Sequence, residues 1–224
     1  MNVTHLKSAL AHVLWLGGAI GAGKSSIARL MGEKYSLQVY HYDRLQQEHY
    51  ARLLPERHAT MYAALTMTDE ERWVLRSGEA MAESTLAWHA ERFEFVIEDL
   101  LALPHDQRVL AEGFGLLPHL VAPLLSNSAQ ALWLISSRAF RRHALTLRGM
   151  RDPAAEWPGT SDPQRAQQNK DDRDEILAAA AQREAHELGL SVIEIDGRRS
   201  LDEITGLVEQ HFAPLLLLDK ARGG

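Results

Sequence analysis

Short apolar runs alternate along the chain with longer stretches whose apolar positions recur at helical spacing, the order expected of a parallel sheet covered by helices. Runs at 11–16, 37–41, 108–111, 131–135 and 191–195 read as five buried strands, brief and mostly apolar as strands covered on both faces are. Between them, 24–34 and 79–103 read as helices. On the longer one Met81, Trp88 and Phe95 repeat at heptad spacing, which predicts a stripe packed into the core. The alternation breaks twice. Residues 43–78 are helix-prone but irregular, with Pro55 and a dense mixture of Arg, Glu and His, which suits a cover inserted over a substrate. Residues 151–170 contain Pro153, Pro158, Gly159 and Pro163 among polar residues, and predict a long loop of the kind that serves as a lid. The apolar stretch after Lys7 up to Leu16 leads directly into glycines, not a cleavage site, and reads as a first strand. The leucine run after Pro214 falls far short of the roughly 20 residues needed to span a bilayer and reads as a terminal packing segment. The expectation is a three-layer α/β fold over 1–224, taken as one domain.

A motif sits where that pattern changes from strand to helix. Gly18, Gly23, Lys24 and Ser25 satisfy G-x-x-x-x-G-K-[S/T], directly after the first apolar run and opening the first helix. Glycines let successive backbone amides turn toward bound phosphates, and the positive end of the helix behind adds to the same site. Gly18, Gly21, Ala22, Gly23, Lys24, Ser25 and Ser26 are therefore the candidate nucleotide-binding residues, with Lys24 on the β- and γ-phosphates and the Ser25 hydroxyl on magnesium. Asn169, Lys170, Asp171 and Asp172 match the guanine-reading pattern N-K-x-D, but the residues before them are polar and include Pro163, so no buried strand leads into them. The stretch 169–174 is expected instead to be the acidic first turn of a helix running to Leu188.

Composition narrows the class. A charged fraction of 24% and a hydrophobic fraction of 46% are ordinary for a globular protein, and a net charge of −6 disfavours a chain whose task is to coat nucleic acid. No cysteine is present, which removes disulfides, thiolate nucleophiles and cysteine zinc sites, and agrees with a cytoplasmic setting. Eleven histidines show no tight metal-ligand spacing. Charge is unevenly spread: after Glu112, no Asp or Glu occurs before Asp152, while Arg138, Arg141, Arg142, Arg148 and Arg151 fall in that interval. Guanidinium groups beside a lid suit a transferring phosphoryl group. A solvated helix face accounts equally well for Arg138, Arg141 and Arg142, so Arg148 and Arg151, nearest the loop, are the favoured pair, with Arg173 a further lid candidate.

With these features in place, the chain resembles the small P-loop kinases, the shikimate, gluconate, adenylate and chloramphenicol kinase group, and within it looks closest to uncharacterised bacterial AAA-type or shikimate-kinase-like proteins. The resemblance is specific over 18–26 and looser elsewhere. It implies a parallel sheet of order 2-3-1-4-5, ATP and Mg2+ as cofactors, and phosphotransfer to a small-molecule acceptor, with neither nucleic acid nor membrane as partner. By the same resemblance Asp43, just after the second strand, holds and deprotonates the acceptor hydroxyl, though its position also permits a helix N-cap. Glu112, ending the third strand, matches the acidic residue that holds a magnesium-bound water or the acceptor. Asp196 and Gly197 close the fifth strand, in the loop that backs an adenine ring in such kinases. The competing reading is a nucleotide-dependent regulatory switch without an acceptor, and a third is a nucleic-acid end kinase.

Overall fold

The structure is a computed structural model that describes residues 3–147 and 152–220. Five strands, β1 (Val13–Gly18), β2 (Gln38–His41), β3 (Val109–Glu112), β4 (Ala131–Ser136) and β5 (Ser191–Ile195), form one sheet in the order β2-β3-β1-β4-β5. All neighbours run parallel. The expected α/β architecture and strand order are therefore present.

Side chains alternate across the sheet as the pleat requires. Val13 and Trp15 of β1, Val109 and Ala111 of β3, and Trp133 of β4 enter one core. Leu14, Leu16, Leu110, Leu132 and Leu134 enter the other. The first core is closed by helix α5 (Gly78–Ala102), through Phe93, Val96 and Leu100, and by α9 (Pro163–Glu187), through Ala178, Ala181 and Ala185. The second is closed by α2 (Lys24–Tyr35), through Ile27, Ala28 and Met31, and by α10 (Leu201–Lys220), through Ile204, Val208 and Phe212. Shorter helices complete the chain: α1 (Val3–Ala9), α3 (Gln46–Tyr50), α4 (Ala59–Thr66), α6 (Pro118–Val121), α7 (Arg138–Leu147) and α8 (Pro153–Glu156). A π-turn, Glu70–Val74, precedes α5.

Several expected boundaries move, each for a local reason. The start of the stretch read as a first strand is helical, in α1, and β1 is shifted two residues along because its glycines, Gly17 and Gly18, pair with Trp133 and Leu134 of β4. The leucine run after Pro214 is the end of α10, where Leu215 and Leu216 pack on the second core. The loop expected over 151–170 is much shorter. Asp162 accepts from the Arg165 amide as an N-cap, Pro163 takes the first turn where its missing N–H costs nothing, and α9 runs on from there. Residues 169–174 thus lie inside α9, not in its first turn. The side-chain amide of Asn169 donates to the Trp73 carbonyl at 2.8 Å.

Close packing at the carboxyl end of β3 depends on glycine. A Cβ on Gly113 would lie 2.3 Å from Cβ of Tyr42, and one on Gly115 would lie 2.2 Å from the Tyr42 hydroxyl. Gly113→Ala is expected to destabilise the protein by about 1–3 kcal/mol through overpacking. Urea unfolding of the two proteins measures it, and an unchanged midpoint would contradict this packing.

Candidate functional site

The first four strand ends and the loops after them build the site. After β1 the chain turns through Gly18, Gly21 and Gly23 at φ of 121°, 74° and 85°, a region favouring glycine. A Cβ on Gly18 would lie 2.1 Å from the Leu134 carbonyl oxygen, so this turn is pressed against β4. Ser136, ending β4, donates its hydroxyl to the Ile20 carbonyl at 3.0 Å and braces the loop from below. The loop encloses a small cavity of about 180 Å³ lined by Ile20, Gly21, Ala22, Gly23, Lys24, Ser25, Ser26, Asp43 and Phe114. Of the predicted nucleotide residues, all but Gly18 line it, and Gly18 ends the strand that leads into the loop. Lys24 is buried and folds back onto its own loop, donating to the carbonyls of Gly18 at 3.1 Å and Ala19 at 2.8 Å.

Glu112, at the end of β3, is 2% exposed. Its two oxygens are shared: one accepts from the Ser25 hydroxyl at 3.1 Å, the other meets His41 Nδ1 at 2.7 Å. The two predicted metal residues are thus in direct contact, a pair of hard oxygen donors beside the phosphate loop.

Asp43 follows β2 in a single 3₁₀ turn, Tyr42–Leu45. No side-chain cap is made at that turn or at the start of α3, so the N-cap reading is set aside. The residue borders two cavities: the phosphate-loop cavity and a larger one of about 630 Å³. Packing around it desolvates the carboxyl and raises its pKa, and the Glu112 charge pushes the same way, while Lys24, Arg92 and the Phe114 amide pull it down.

The larger cavity lies beneath 43–78 and against α5. Tyr50, Ala59, Ala63, Met67 and Trp73 come from the covering segment, Met81, Trp88, His89 and Arg92 from α5, and Arg173 from α9. The heptad stripe on α5 is buried at Met81 and Phe95 and half-buried against the first core at Trp88, and Met81 and Trp88 form cavity wall as well.

Behind this wall a polar network fixes the floor. The Arg92 guanidinium, 1% exposed, lies 3.9 Å from the Tyr42 ring centre, and its Nε donates to His49 Nδ1 at 2.8 Å. Because that nitrogen must accept, the His49 proton sits on Nε2, which donates to Asp99 at 2.7 Å. Asp99 also accepts from Tyr40 at 2.9 Å and Arg52 at 2.6 Å. Burial pulls against ionisation of Asp99, but the three donors outweigh it and hold the carboxyl below its usual range. His89 is buried, pairs through Nδ1 with the Tyr42 hydroxyl at 2.6 Å, and has no hydrogen-bond partner at Nε2. Burial, with help from Arg92 and Arg173, drops its pKa to about 3.

The arginines are distributed differently from expectation. Arg148 and Arg151 lie outside the described residues. Arg138 pairs with Asp172 at 3.2 Å on the surface. Arg141, grouped in the sequence with a solvated face, is buried: it reaches Glu175, and its Cγ would be 3.5 Å from a Cβ on Gly21. Its aliphatic stem is what α7 lays beside the phosphate loop, while the guanidinium turns to Glu175 and the Ser136 carbonyl. Arg173 pairs with Asp174 at 2.6 Å, stacks 5.1 Å from the Trp73 ring centre, and still lines the larger cavity. Tyr42, His89 and Arg92 belong to the site without any motif that marks them in the sequence. The glycines on either side of Phe114 are the available signal, because they mark close approach of other side chains. Gly197, at φ 86°, packs against Phe140 of α7.

No protein-family model matches the chain. No curated protein matches it either. Among solved structures it is similar to an uncharacterized protein from Eubacterium ventriosum ATCC 27560, at 12% identity and a TM-score of 0.46 over 90% of this chain and 98% of that one. It is also similar to a shikimate kinase from Acinetobacter baumannii in complex with shikimate, at 13% identity and a TM-score of 0.47 over 93% of this chain and 98% of that one. Likeness of this degree says nothing of activity. Among the described residues no helix is long and apolar enough to cross a membrane.

The buried histidine gives a pH signature. The folded pKa of His89, about 3, lies below its ordinary 6.5, so between these values the unfolded chain binds the extra proton. Its contribution to stability is complete above that upper value and is lost as pH falls toward the lower one. Denaturation midpoints across this window are expected to fall for the wild type and to fall less steeply for His89→Gln; parallel curves would contradict a neutral buried imidazole.

Proposed function

We propose that this protein is an ATP- and Mg2+-dependent phosphotransferase acting on a hydroxyl or phosphate of a small molecule. The observation that carries the reading is that one carboxylate residue, Asp43, lines both the phosphate-loop cavity and the larger cavity, with Ile20 and Phe114 as the other shared walls. A donor phosphate held on one side and an acceptor on the other would meet at that carboxylate.

The roles follow from position. Backbone amides of the loop and the amino end of α2 hold the triphosphate. Lys24, now satisfied by two carbonyls of its own loop, exchanges them for phosphate oxygens when nucleotide enters. Ser25 and Glu112, in contact with each other, would hold Mg2+, which is commonly bound by one or two protein oxygens with phosphates and waters completing its shell. When bound, the ion would neutralise negative charge on the phosphates. Asp43 accepts the proton of the attacking hydroxyl, and its raised pKa makes it a stronger base than an exposed carboxylate. Arg141, whose stem lies beside Gly21, would exchange Glu175 for the charge on the transferring group. Arg148 and Arg151 stay candidates for the same role.

Two substitutions test the reading. Lys24→Ala should lower ATP–Mg2+ affinity or turnover by about tenfold or more. Asp43→Asn should leave ATP binding nearly intact while acceptor-dependent ADP formation drops by about 10²- to 10⁴-fold. Calorimetry and a coupled ADP assay read the two. Unchanged transfer in the Asn variant would remove Asp43 from the chemistry and shift its role to Glu112, whereas ADP formation that no acceptor accelerates would favour the switch reading.

A further inference from the structure

The larger cavity carries a charge that the phosphate machinery does not explain. Four arginines line it, Arg72, Arg76, Arg92 and Arg173, against the single carboxylate Asp43 at its inner end. In a protein of net charge −6 that is a local inversion. Of the four, Arg173 has a carboxylate partner, Asp174. Among the described residues, Arg72, Arg76 and Arg92 have no carboxylate within ion-pair distance. Their donors go to neutral groups: Arg72 to the Ala64 carbonyl, Arg76 to the Ala80 carbonyl and the Ser84 hydroxyl, both at 2.7 Å, and Arg92 to His49 and the Tyr42 carbonyl. Their positive charges are therefore not offset by an ion pair.

Two further features belong to the same cavity. His89, 4% exposed, borders it with Nε2 unpartnered, a polar atom that a ligand could satisfy. The rest of the wall is largely apolar and aromatic: Trp73, Trp88, Tyr50, Phe114, Met67 and Met81. Aromatic faces and thioethers favour an apolar or planar body over a densely hydroxylated one. A volume of about 630 Å³ lies within the range that encloses a drug-sized ligand.

We infer that the acceptor is an amphiphilic anion: a molecule with an apolar or aromatic body that carries a carboxylate or phosphate for the arginines, and presents its hydroxyl to Asp43. This rests on the larger cavity being the acceptor site, as proposed above. The anionic group is recognised by Arg72 and Arg76 of the covering segment, and the planar body lies between Trp73 and Trp88. The unoccupied imidazole nitrogen of His89 takes a polar substituent of that body.

The test needs no nucleotide and so stands apart from phosphotransfer. Naphthoate, naphthyl phosphate, naphthol and gluconate are titrated separately into the full chain, read by calorimetry and by quenching of tryptophan fluorescence. At least one of the two naphthyl anions should bind about tenfold or more tightly than naphthol and than gluconate, and the tighter one names the anionic group. Arg76→Gln, with Arg72→Gln as the second variant, should remove most of that advantage while naphthol affinity stays the same. Lys24→Ala should leave the anion affinity unchanged. Equal binding of naphthol and both anions would overturn the anionic requirement, and gluconate binding as tightly would overturn the apolar one. Loss of anion binding in Lys24→Ala would place the anion in the phosphate loop and overturn the assignment to this cavity. Failure to bind ATP–Mg2+ with anion selectivity intact would count against phosphotransfer alone.

Discussion

A carboxyl group taken out of water needs hydrogen-bond partners for its oxygens, and Glu112 is the one around which this site is assembled. The register of the sheet puts it level with Leu16 of β1 and His41 of β2. Its two partners come from either side, Ser25 at the start of α2 and His41 at the end of β2. The pairing therefore ties the phosphate loop to the strand that delivers Asp43. Removing either partner would leave a buried acceptor unsatisfied, a cost that holds the two elements together.

What happens beyond His41 follows from that anchor. Tyr42 turns inward against Gly113 and Gly115, where no larger residue leaves room, and is covered by Arg92 and His89. Asp43, the next residue, is left facing the two cavities. The orientation of Arg92 is in turn set from behind by the His49–Asp99 pair, with Tyr40 and Arg52 sharing the same carboxylate. A chain of satisfied polar groups thus runs from Arg52 at the surface to the floor of the larger cavity. The covering segment is held from the other side: Trp73 packs tilted against Trp157 with ring centres 4.6 Å apart, and Ser161 donates its amide to Glu70 at 2.8 Å. Trp73 consequently faces the cavity and the 152–162 segment at once.

Much of this is legible in the sequence, and what is not has physical causes. The phosphate loop is readable because its chemistry demands fixed spacing, glycines included. The five strands show as short apolar runs, while the order of the sheet comes from the resemblance to small P-loop kinases and not from the runs themselves. The first strand is misplaced by two residues because Gly17 and Gly18 look like loop until their pairing with β4 is known. The lid is expected too long because Pro153, Pro158 and Gly159 all read as breakers, although Asp162 followed by Pro163 is a helix start. Charge is not sorted by sequence at all. Arg138 and Arg141 lie one turn apart on the same helix, yet one is buried beside Gly21 and the other pairs on the surface, a difference that arises only when α7 and α9 pack. Likewise Arg72, Arg76 and Arg92 are scattered over the covering segment and α5, and become one electrostatic feature only in the folded chain.

The central claim is that the phosphate loop and the larger cavity open onto one another at Asp43. It is tested most directly by a crystal structure of the protein with Mg2+ and a non-hydrolysable ATP analogue. The account predicts the γ-phosphoryl group at the junction between Asp43 and Phe114, facing the larger cavity, with Lys24 moved from its loop carbonyls onto phosphate oxygens and the metal held by Ser25. A γ-phosphoryl group turned away from Asp43, with Lys24 still on Gly18 and Ala19, would contradict it.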